Sequence, residues 1–260
     1  MIYALGRQPH DPVRLASAPA IFDHLALATP ADRLDRSGVD FEPSLGDNDW
    51  APDCTGESLR EVATAIFALS AGARLSVARE ASLAFYCSCV GLPPNATRAQ
   101  ILATDGAEML AVARRQWRQG FDVGSQRLFG LFGTAPVADR LKLAAGAQAF
   151  RMLWAGVRIY ERDRDNFDSA DPWDDDGSTD PGALVGLHAI GTGWGWTGLG
   201  DSDETGTVTW GRCKPTKWRW LARRLDEVHC FRFRQLDGAG AAAIDEERLT
   251  AALTRWSAAA

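Results

Sequence analysis

Two side chains in the sequence have the types that nucleophilic acyl transfer needs, a cysteine and a histidine. Cys54 follows Pro52 and Asp53, where a helix is predicted to begin. The unpaired N–H groups and the dipole of a helix N-terminus stabilise a thiolate, so this position predicts a lowered cysteine pKa. His188 lies in a strand-like run at 183–191 and can be the base or the imidazolium partner of that thiolate. We therefore expect Cys54 to be the most reactive of the five cysteines.

The elements that must position these side chains fall into two groups along the chain. Helical periodicity comes first, from a helix that starts at Cys54 and ends near Gly72, and then at residues 75–90, 97–120 and 137–149. Strand-like runs follow, at residues 149–160, 183–192, 206–210 and 228–234. This order predicts an α+β fold with two lobes. A helical lobe carries the cysteine, and an antiparallel β lobe carries the histidine.

The two ends of the chain differ from its middle. Residues 1–46 hold five prolines and little periodicity, which predicts an extended N-terminal arm without helices longer than two turns. Residues 47–236 are predicted to form the main domain, mainly helical over 47–148 and mainly β over 149–236. Residues 237–260 are rich in alanine and predict a helical tail.

Four short segments stand in a definite order along the chain. They are Leu-Gly-Arg-Gln-Pro at 5–9, Asn-Asp-Trp-Ala-Pro-Asp-Cys-Thr at 48–55, Gly-Leu-His-Ala at 186–189 and Val-Thr-Trp-Gly at 208–211. The last three resemble the cysteine-helix, histidine-strand and Trp-Gly motifs of papain-like cysteine peptidases. Together with the first segment, they resemble a phage and prophage branch of that fold. The resemblance covers most of residues 1–236.

This resemblance implies a role for each matching residue. Cys54 would be the nucleophile, and His188 would take and return its proton. The side-chain amide of Asn48, together with the backbone N–H of Cys54, would form an oxyanion hole. Trp210 would shield the histidine from water. The resemblance implies no cofactor and no metal ion.

One position departs from the family pattern. Val208 stands where the family has an asparagine that orients the histidine, and valine offers no side-chain hydrogen bond. Either another group holds His188, such as a backbone carbonyl or an acid of the 201–204 loop, or catalysis is weak or absent. Asp53 beside the cysteine would raise its pKa unless the carboxylate points away.

Composition excludes several other classes of protein. The net charge is −6, but residues 163–180 hold eight Asp and one Arg, so the other residues sum to +1. Clustered basic residues that would predict nucleic-acid binding are not seen. The segment 163–180 lacks the spacing of a calcium loop and is expected to be exposed and solvated. Five irregularly spaced cysteines favour a reducing compartment.

The leading hypothesis is a papain-like cysteine hydrolase of phage type, a thiol protease acting on a peptide, a peptidoglycan stem or a virion protein. The alternative is a catalytically weak or inactive structural component of a phage virion, in the tail or the capsid. A distant third is a saccharide-binding module that uses the tryptophans. The expected partners are that substrate or other virion proteins, with possible homo-oligomerisation, no nucleic acid and no membrane span. The expected location is the virion or the host cytoplasm, because no signal peptide is seen.

Overall fold

The structure, a computed structural model, describes residues 4–25, 28–75, 77–123, 126–233, 235 and 244–259. Its helices are α1 (Pro12–Ser17), α2 (Cys54–Ala71), α3 (Arg79–Cys89), α4 (Arg98–Leu102), α5 (Met109–Gln119), α6 (Arg140–Phe150), α7 (Glu161–Asp165), α8 (Trp218–Arg224) and α9 (Glu246–Ala259). Its strands are β1 (Phe121–Val123), β2 (Gln126–Leu128), β3 (Gly130–Thr134), β4 (Leu153–Tyr160), β5 (Leu184–Trp196), β6 (Glu204–Thr209), β7 (Arg212–Lys217) and β8 (Leu225–Phe233).

An antiparallel six-stranded sheet is the framework of the second half of the chain. Its strand order is β3-β8-β4-β5-β6-β7, while β1 and β2 form a separate hairpin. The predicted α+β fold, with helices before an antiparallel sheet, is confirmed. The sequence analysis missed β1 to β3, which lie within the stretch predicted to be mainly helical. It also missed α7, β7 and α8, the last a short helix between β7 and β8.

Helix α2 is the central helix of the fold. It packs against β5 on one side and against α3 and α5 on the other, so most of its residues are buried. The helix ends at Gly72, which adopts a left-handed conformation with φ of 64°. Because its first residue is Cys54, the packing of α2 on the sheet brings the thiol to the strand that carries His188.

The arm lies on the body of the protein through short contacts. The described parts of residues 1–46 contain α1 and one 3₁₀ turn at Ile21–His24, neither longer than two turns. Helix α1 has no buried residue, whereas Ala18 and Ile21 beyond it are buried. Residues 1–3 and 26–27 of the predicted arm, and 237–243 of the predicted tail, lie outside the described residues.

The aspartate-rich segment 163–180 is exposed over much of its length, as expected, but not throughout. Asp163 and Asp175 are buried, and both bind the guanidinium of Arg224 in α8. Asp163 also accepts a hydrogen bond from the indole N–H of Trp220 at 2.7 Å. The prediction fails at these two carboxylates because they have partners some 50 to 60 residues later in the chain, which composition does not reveal.

Most of the tryptophans proposed for a saccharide cleft also lie inside the protein. Trp196, Trp210, Trp218 and Trp220 are buried, so they build the core instead of a binding surface. Within the described residues, no helix combines the length and the apolar character needed to cross a bilayer.

Candidate active site

The three predicted site residues come together at one small pocket. Cys54, His188 and Asn48 line a cavity of about 10 Å³ between the start of α2 and the sheet. Thr209 and Trp210 at the end of β6 line the same cavity. The arrangement therefore joins a thiol, an imidazole and a side-chain amide in a space that is almost completely filled.

The thiol of Cys54 is closed off from solvent. The residue is 1% exposed, and the backbone N–H of Gly6 donates a hydrogen bond to its Sγ at 3.3 Å. Burial raises the pKa of Cys54 to about 12, although hydrogen bonds from the backbone of Ala189 and Gly6 act in the opposite direction. Desolvation therefore outweighs the helix N-terminus and disfavours the predicted thiolate at neutral pH in this closed arrangement.

The imidazole of His188 is held on one nitrogen and unpartnered on the other. Its Nε2 lies 2.6 Å from Oγ1 of Thr209, while its Nδ1 is buried without a hydrogen-bond partner. Burial, together with the positive charge of Arg7, lowers the pKa of His188 to about 3. Both shifts favour a neutral thiol and a neutral imidazole over the predicted ion pair.

Thr209, and not residue 208, provides the hydrogen bond that orients the histidine. Gly191 on β5 pairs with Val208 on β6, so these two residues share one face of the sheet. Side chains alternate between faces, which puts Thr209 on the opposite face, together with His188 three residues before Gly191 on β5. Val208 is a buried residue of the other face.

The acids of the 201–204 loop do not take this role. Asp201 forms an ion pair with Arg140, and Asp203 accepts a hydrogen bond from the backbone N–H of Gly200 at 2.6 Å. The expectation that one of them holds His188 is therefore not met, because the hydroxyl of Thr209 lies within reach on the neighbouring strand.

Trp210 covers the histidine, as the resemblance implied. Its ring stacks on the imidazole with centroids 4.2 Å apart and planes 22° apart. The two residues between β6 and β7, Trp210 and Gly211, both have positive φ, 45° and 74°. That backbone matches the two-residue turn that fits the twist of a hairpin. The turn places an indole, in a conformation that a bulky residue rarely adopts, directly over His188.

Asn48 reaches the site with part of its amide already engaged. Its Nδ2 donates to Oδ1 of Asp53 at 3.1 Å, which leaves the second N–H of the amide for another acceptor. Asp53 is buried, and desolvation raises its pKa well above the usual value. Asp53 also contributes to the raised pKa of Cys54, as the sequence analysis anticipated for a neighbouring carboxylate.

Two further carboxylates on α2 line the pocket, and the sequence analysis did not identify them. Glu57 and Glu61 lie one and two turns after Cys54 on the same helix face, and Arg60 forms ion pairs with both. Burial raises the pKa of Glu61 to about 7. The helical spacing i, i+3 and i+7 from the cysteine is the signal in the sequence that would have found them.

Residues 4–8 of the arm, which we call the occluding segment, run across the thiol. The N–H of Ala4 donates to the carbonyl of Asn48, and the occluding segment pairs with Ala107 through Ala107 N–H to Gly6 O and Gln8 N–H to Ala107 O. A Cβ at Gly6 would lie 1.8 Å from the carbonyl oxygen of Pro52. Only a glycine therefore allows the backbone to approach the start of α2 so closely.

The described residues also contain a group of side chains with metal-ligand types. His10, Asp226 and Glu227 bring potential ligand atoms within 4.8 Å of one another. The guanidinium of Arg7 lies against both carboxylates, so the position already holds a cation. The pocket around Cys54 and His188 needs no cofactor for the chemistry of its own side chains.

Comparison with known proteins addresses the fold. No protein-family model matches the sequence, and no curated protein matches it. Several solved structures do match its fold. Xylellain, a cysteine protease from Xylella fastidiosa, has a TM-score of 0.59 at 11% identity, covering 88% of this chain and 96% of that chain. The Amb a 11 cysteine protease of ragweed pollen, in its proform, has a TM-score of 0.57 at 13% identity, covering 88% and 75%.

A third neighbour is the digestive procathepsin L 3 of the Tenebrio molitor larval midgut. It has a TM-score of 0.52 at 14% identity and covers 89% of this chain and 73% of that chain. The fold is that of papain-like cysteine proteases. Within this papain-like fold, the cysteine that starts α2 and the histidine on β5 are the pair that the site geometry singles out.

Proposed function

We propose that the chain is a papain-like cysteine hydrolase of phage type that cleaves an amide bond in a peptide, a peptidoglycan stem or a virion protein. The observation that carries the proposal is the arrangement of His188. Its Nε2 is held by Thr209, and its Nδ1 is unpartnered in the same pocket as the thiol of Cys54. An imidazole that carries its proton on Nε2 presents a basic lone pair on Nδ1.

The residues would perform acyl transfer in two steps. In the first, Nδ1 of His188 takes the thiol proton while Sγ of Cys54 attacks the carbonyl carbon. The backbone N–H of Cys54 and the free amide N–H of Asn48 stabilise the oxyanion. His188 then gives the proton to the leaving amine as the C–N bond breaks. In the second step, water attacks the thioester, His188 again moves the proton, and the thiol and a carboxylic acid are released.

Because the thiol of Cys54 is buried, the proposed hydrolysis requires the occluding segment to move. A substrate carbonyl reaches Sγ only when the occluding segment moves away, because Gly6 lies in hydrogen-bond contact with that atom. Removal of this contact also opens Cys54 to water, which lowers the desolvation that raises its pKa. Displacement of the segment would therefore both admit substrate and favour the thiolate.

The second candidate is a virion protein of the tail or capsid that keeps the fold without useful catalysis. The observation in its favour is the buried neutral thiol beneath the occluding segment. Such a protein would bind other virion proteins or further copies of itself through its arm. Both candidates place the chain in a virion or in the host cytoplasm.

The test compares the full chain with Cys54→Ser, His188→Ala and an opened variant, Arg7→Ala, on panels of peptides and peptidoglycan fragments. The hydrolase predicts new amines and carboxylic acids, seen by mass spectrometry, in the opened variant and none after a second change at Cys54. Absence of turnover together with slow alkylation of Cys54 in the opened variant would favour the virion component.

A further inference from the structure

Arg7, in the middle of the occluding segment, is enclosed in an acidic pocket. Its side chain is 0% exposed, and its two terminal nitrogens each meet a different carboxylate. NH1 donates to Oε1 of Glu227 at 2.5 Å, and NH2 donates to Oδ2 of Asp226 at 2.5 Å. This is the geometry of a guanidinium that two acceptors hold by both prongs of its fork.

The walls of this pocket leave room for a flat cation. Glu227 on β8 pairs with Gly156 on β4, and the missing side chain at that glycine provides the space. A Cβ at residue 156 would lie 2.8 Å from Cγ of Glu227 and 2.9 Å from Cζ of Arg7. One oxygen of Asp226 is buried without a hydrogen-bond partner, so the pocket has acceptor capacity that Arg7 does not use.

Two histidines complete the surroundings of the carboxylates. Nε2 of His229 lies 3.0 Å from Oε2 of Glu227, and Nδ1 of His10 lies 3.9 Å from its Oε1. The pocket is therefore lined by two carboxylates, and the positive charge that neutralises them comes mainly from Arg7.

The acidic pocket lies beside the thiol. Arg7 follows Gly6, whose N–H contacts Sγ of Cys54, and backbone hydrogen bonds to Ala107 flank Arg7 on both sides. Gly156 on β4 also pairs with Ala189, the residue after the histidine. An extended peptide that pairs with Ala107 and has an arginine in the acidic pocket therefore brings a neighbouring peptide group to the thiol.

The occluding segment has few anchors before residue 18. Residues 8–17 include none that is buried, and the chain is next fixed where Ala18 and Ile21 pack into the core. Arg7 and the backbone hydrogen bonds around it hold residues 4–8, and contacts of Asp11 and Arg14 with Glu108 hold the chain beyond them. Departure of the occluding segment from the cleft would break these contacts.

We propose that the acidic pocket of Asp226 and Glu227 is a guanidinium-binding subsite of the cleft. Arg7 fills it from within the chain, and the arginine of a peptide substrate fills it once the occluding segment has left. The inference rests on the proposed function in treating the peptide as a substrate. The binding of the guanidinium itself does not require catalysis.

Arginine fits this subsite better than lysine or a neutral residue. A planar guanidinium places two N–H groups on two separate carboxylates at once, whereas an ammonium is a single point charge. A citrulline side chain has nearly the same shape without the charge and would leave the buried carboxylate of Glu227 and the partly buried carboxylate of Asp226 without the guanidinium charge. Peptides with arginine are therefore expected to bind in strong preference to their citrulline analogues.

The first experiment is a chemical rescue of the Arg7→Ala full chain. Ethylguanidinium should raise the melting temperature of this variant more than ethylammonium does, and it should have little effect on the unmodified chain, where Arg7 fills the pocket. Addition of Glu227→Gln to the variant should abolish the difference between the two cations. Equal effects of both cations on Arg7→Ala, or an unchanged difference in the double variant, would overturn the subsite.

The second experiment measures the affinity of Arg7→Ala for the peptide acetyl-Leu-Gly-Arg-Gln-amide by calorimetry. The arginine peptide should bind at least about tenfold tighter than the citrulline peptide, the gain expected from a charge-assisted pair. A matched variant with Gly156→Val, which fills the space beside the carboxylates, should lose that preference. Equal affinities in Arg7→Ala would contradict the proposal.

The outcomes separate the subsite from the hydrolase. Selective binding of the arginine peptide without cleavage would retain the subsite and reject the proposed function. Cleavage of peptides without preference for arginine would retain the function and reject the subsite. If Arg7→Ala does not fold, Arg7→Lys is used in its place. The arginine peptide must then compete with a weaker intramolecular cation, and equal affinity for the citrulline peptide would again reject the subsite.

Discussion

A single hydroxyl group does at this site what an asparagine side chain does in the family pattern. Thr209 lies 2.6 Å from Nε2 of His188, on the same face of the sheet. A threonine hydroxyl can accept a hydrogen bond from Nε2–H and so fix the tautomer that leaves the lone pair on Nδ1. The site therefore has an orienting group, although Val208 occupies the position where the family pattern has one.

We expect Thr209→Val to lower kcat by about 10–100-fold with little change in KM, because a misoriented base affects proton transfer and not binding. The measurement is peptide hydrolysis in the Arg7→Ala background, with Thr209→Ser as the control that restores the hydroxyl. Val208→Asn should not raise activity, since residue 208 faces the other side of the sheet. A gain from Val208→Asn would show that this assignment of faces is incorrect.

The order in which thiols react is a second prediction at this scale. In the full chain, iodoacetamide should label Cys213 before Cys54, because Cys213 is exposed and Cys54 is not. Desolvation of the sulfur by the surrounding protein atoms raises the pKa of Cys213 to about 11, which is still below the pKa of Cys54. Peptide mass spectrometry gives the order, and Cys213→Ser is the control.

The pH dependence of that labelling follows from the direction of the pKa shift. Only the thiolate reacts, and burial raises the pKa of Cys54 to about 12, so the rate should rise about tenfold per pH unit from pH 6 to pH 9. A plateau at neutral pH would instead indicate a thiolate–imidazolium pair in the closed form. Arg7→Ala should speed the labelling of Cys54.

At the scale of elements, the segment 163–180 shows why charge patterns misled the sequence analysis. Eight aspartates among these eighteen residues suggest a solvated loop. The buried pair of Asp163 and Asp175 instead fixes α8 through Arg224. Asp163 also accepts from the indole of Trp220, whose ring stacks on Trp173 at 4.6 Å between centroids.

We expect Asp163→Ala to lower the free energy of unfolding by about 3–5 kcal/mol, because it leaves a buried guanidinium without one of its partners. Asp165→Ala is the matched control. That residue is exposed and pairs with the exposed Arg164, so its loss should change stability by less than about 1 kcal/mol. Urea denaturation of both variants is the measurement, and equal losses would contradict the buried role of Asp163.

The sequence predicted those elements whose signals are local. Cys54 at the start of a helix and His188 on a strand were found from short motifs, and the structure places both in one pocket. What the sequence could not provide were contacts between distant segments. The contact of Gly6 with the thiol joins residues 48 positions apart, and the pairing of Arg7 with Glu227 joins residues 220 positions apart. The face of Thr209 depends on the register of β5 and β6, which no motif records.

For the whole molecule, the burial of His188 in the closed site makes the free energy of unfolding depend on pH. Burial lowers the pKa of His188 from 6.5 to about 3, so between these values the unfolded chain binds a proton that the folded chain does not. The contribution of the neutral, buried His188 to the free energy of unfolding is therefore fully present above pH 6.5 and is lost as the pH falls toward 3. At pH 4 the loss from this residue is about 3 kcal/mol.

His188→Gln removes this titration, so its free energy of unfolding should depend less on pH between 6.5 and 4 than that of the unmodified chain. Urea denaturation across that range measures the difference. At the alkaline end the sign reverses, because burial raises the pKa of Cys54 from 9.0 to about 12 and stability falls as pH rises through that range. Parallel pH profiles of the two proteins in acid would refute the role of His188.

The hairpin of β6 and β7 has one more consequence, which concerns how the protein can vary in length. Trp210 and Gly211 alone connect the two strands, and Thr209 pairs directly with Arg212. One inserted residue here would change the turn, tilt the indole away from the imidazole and shift Thr209 against its neighbour strand at the same time. Loops elsewhere in the sheet can gain residues at little cost, but this connection cannot. The chemistry of the site thus sets the length of the turn that holds the indole over the histidine.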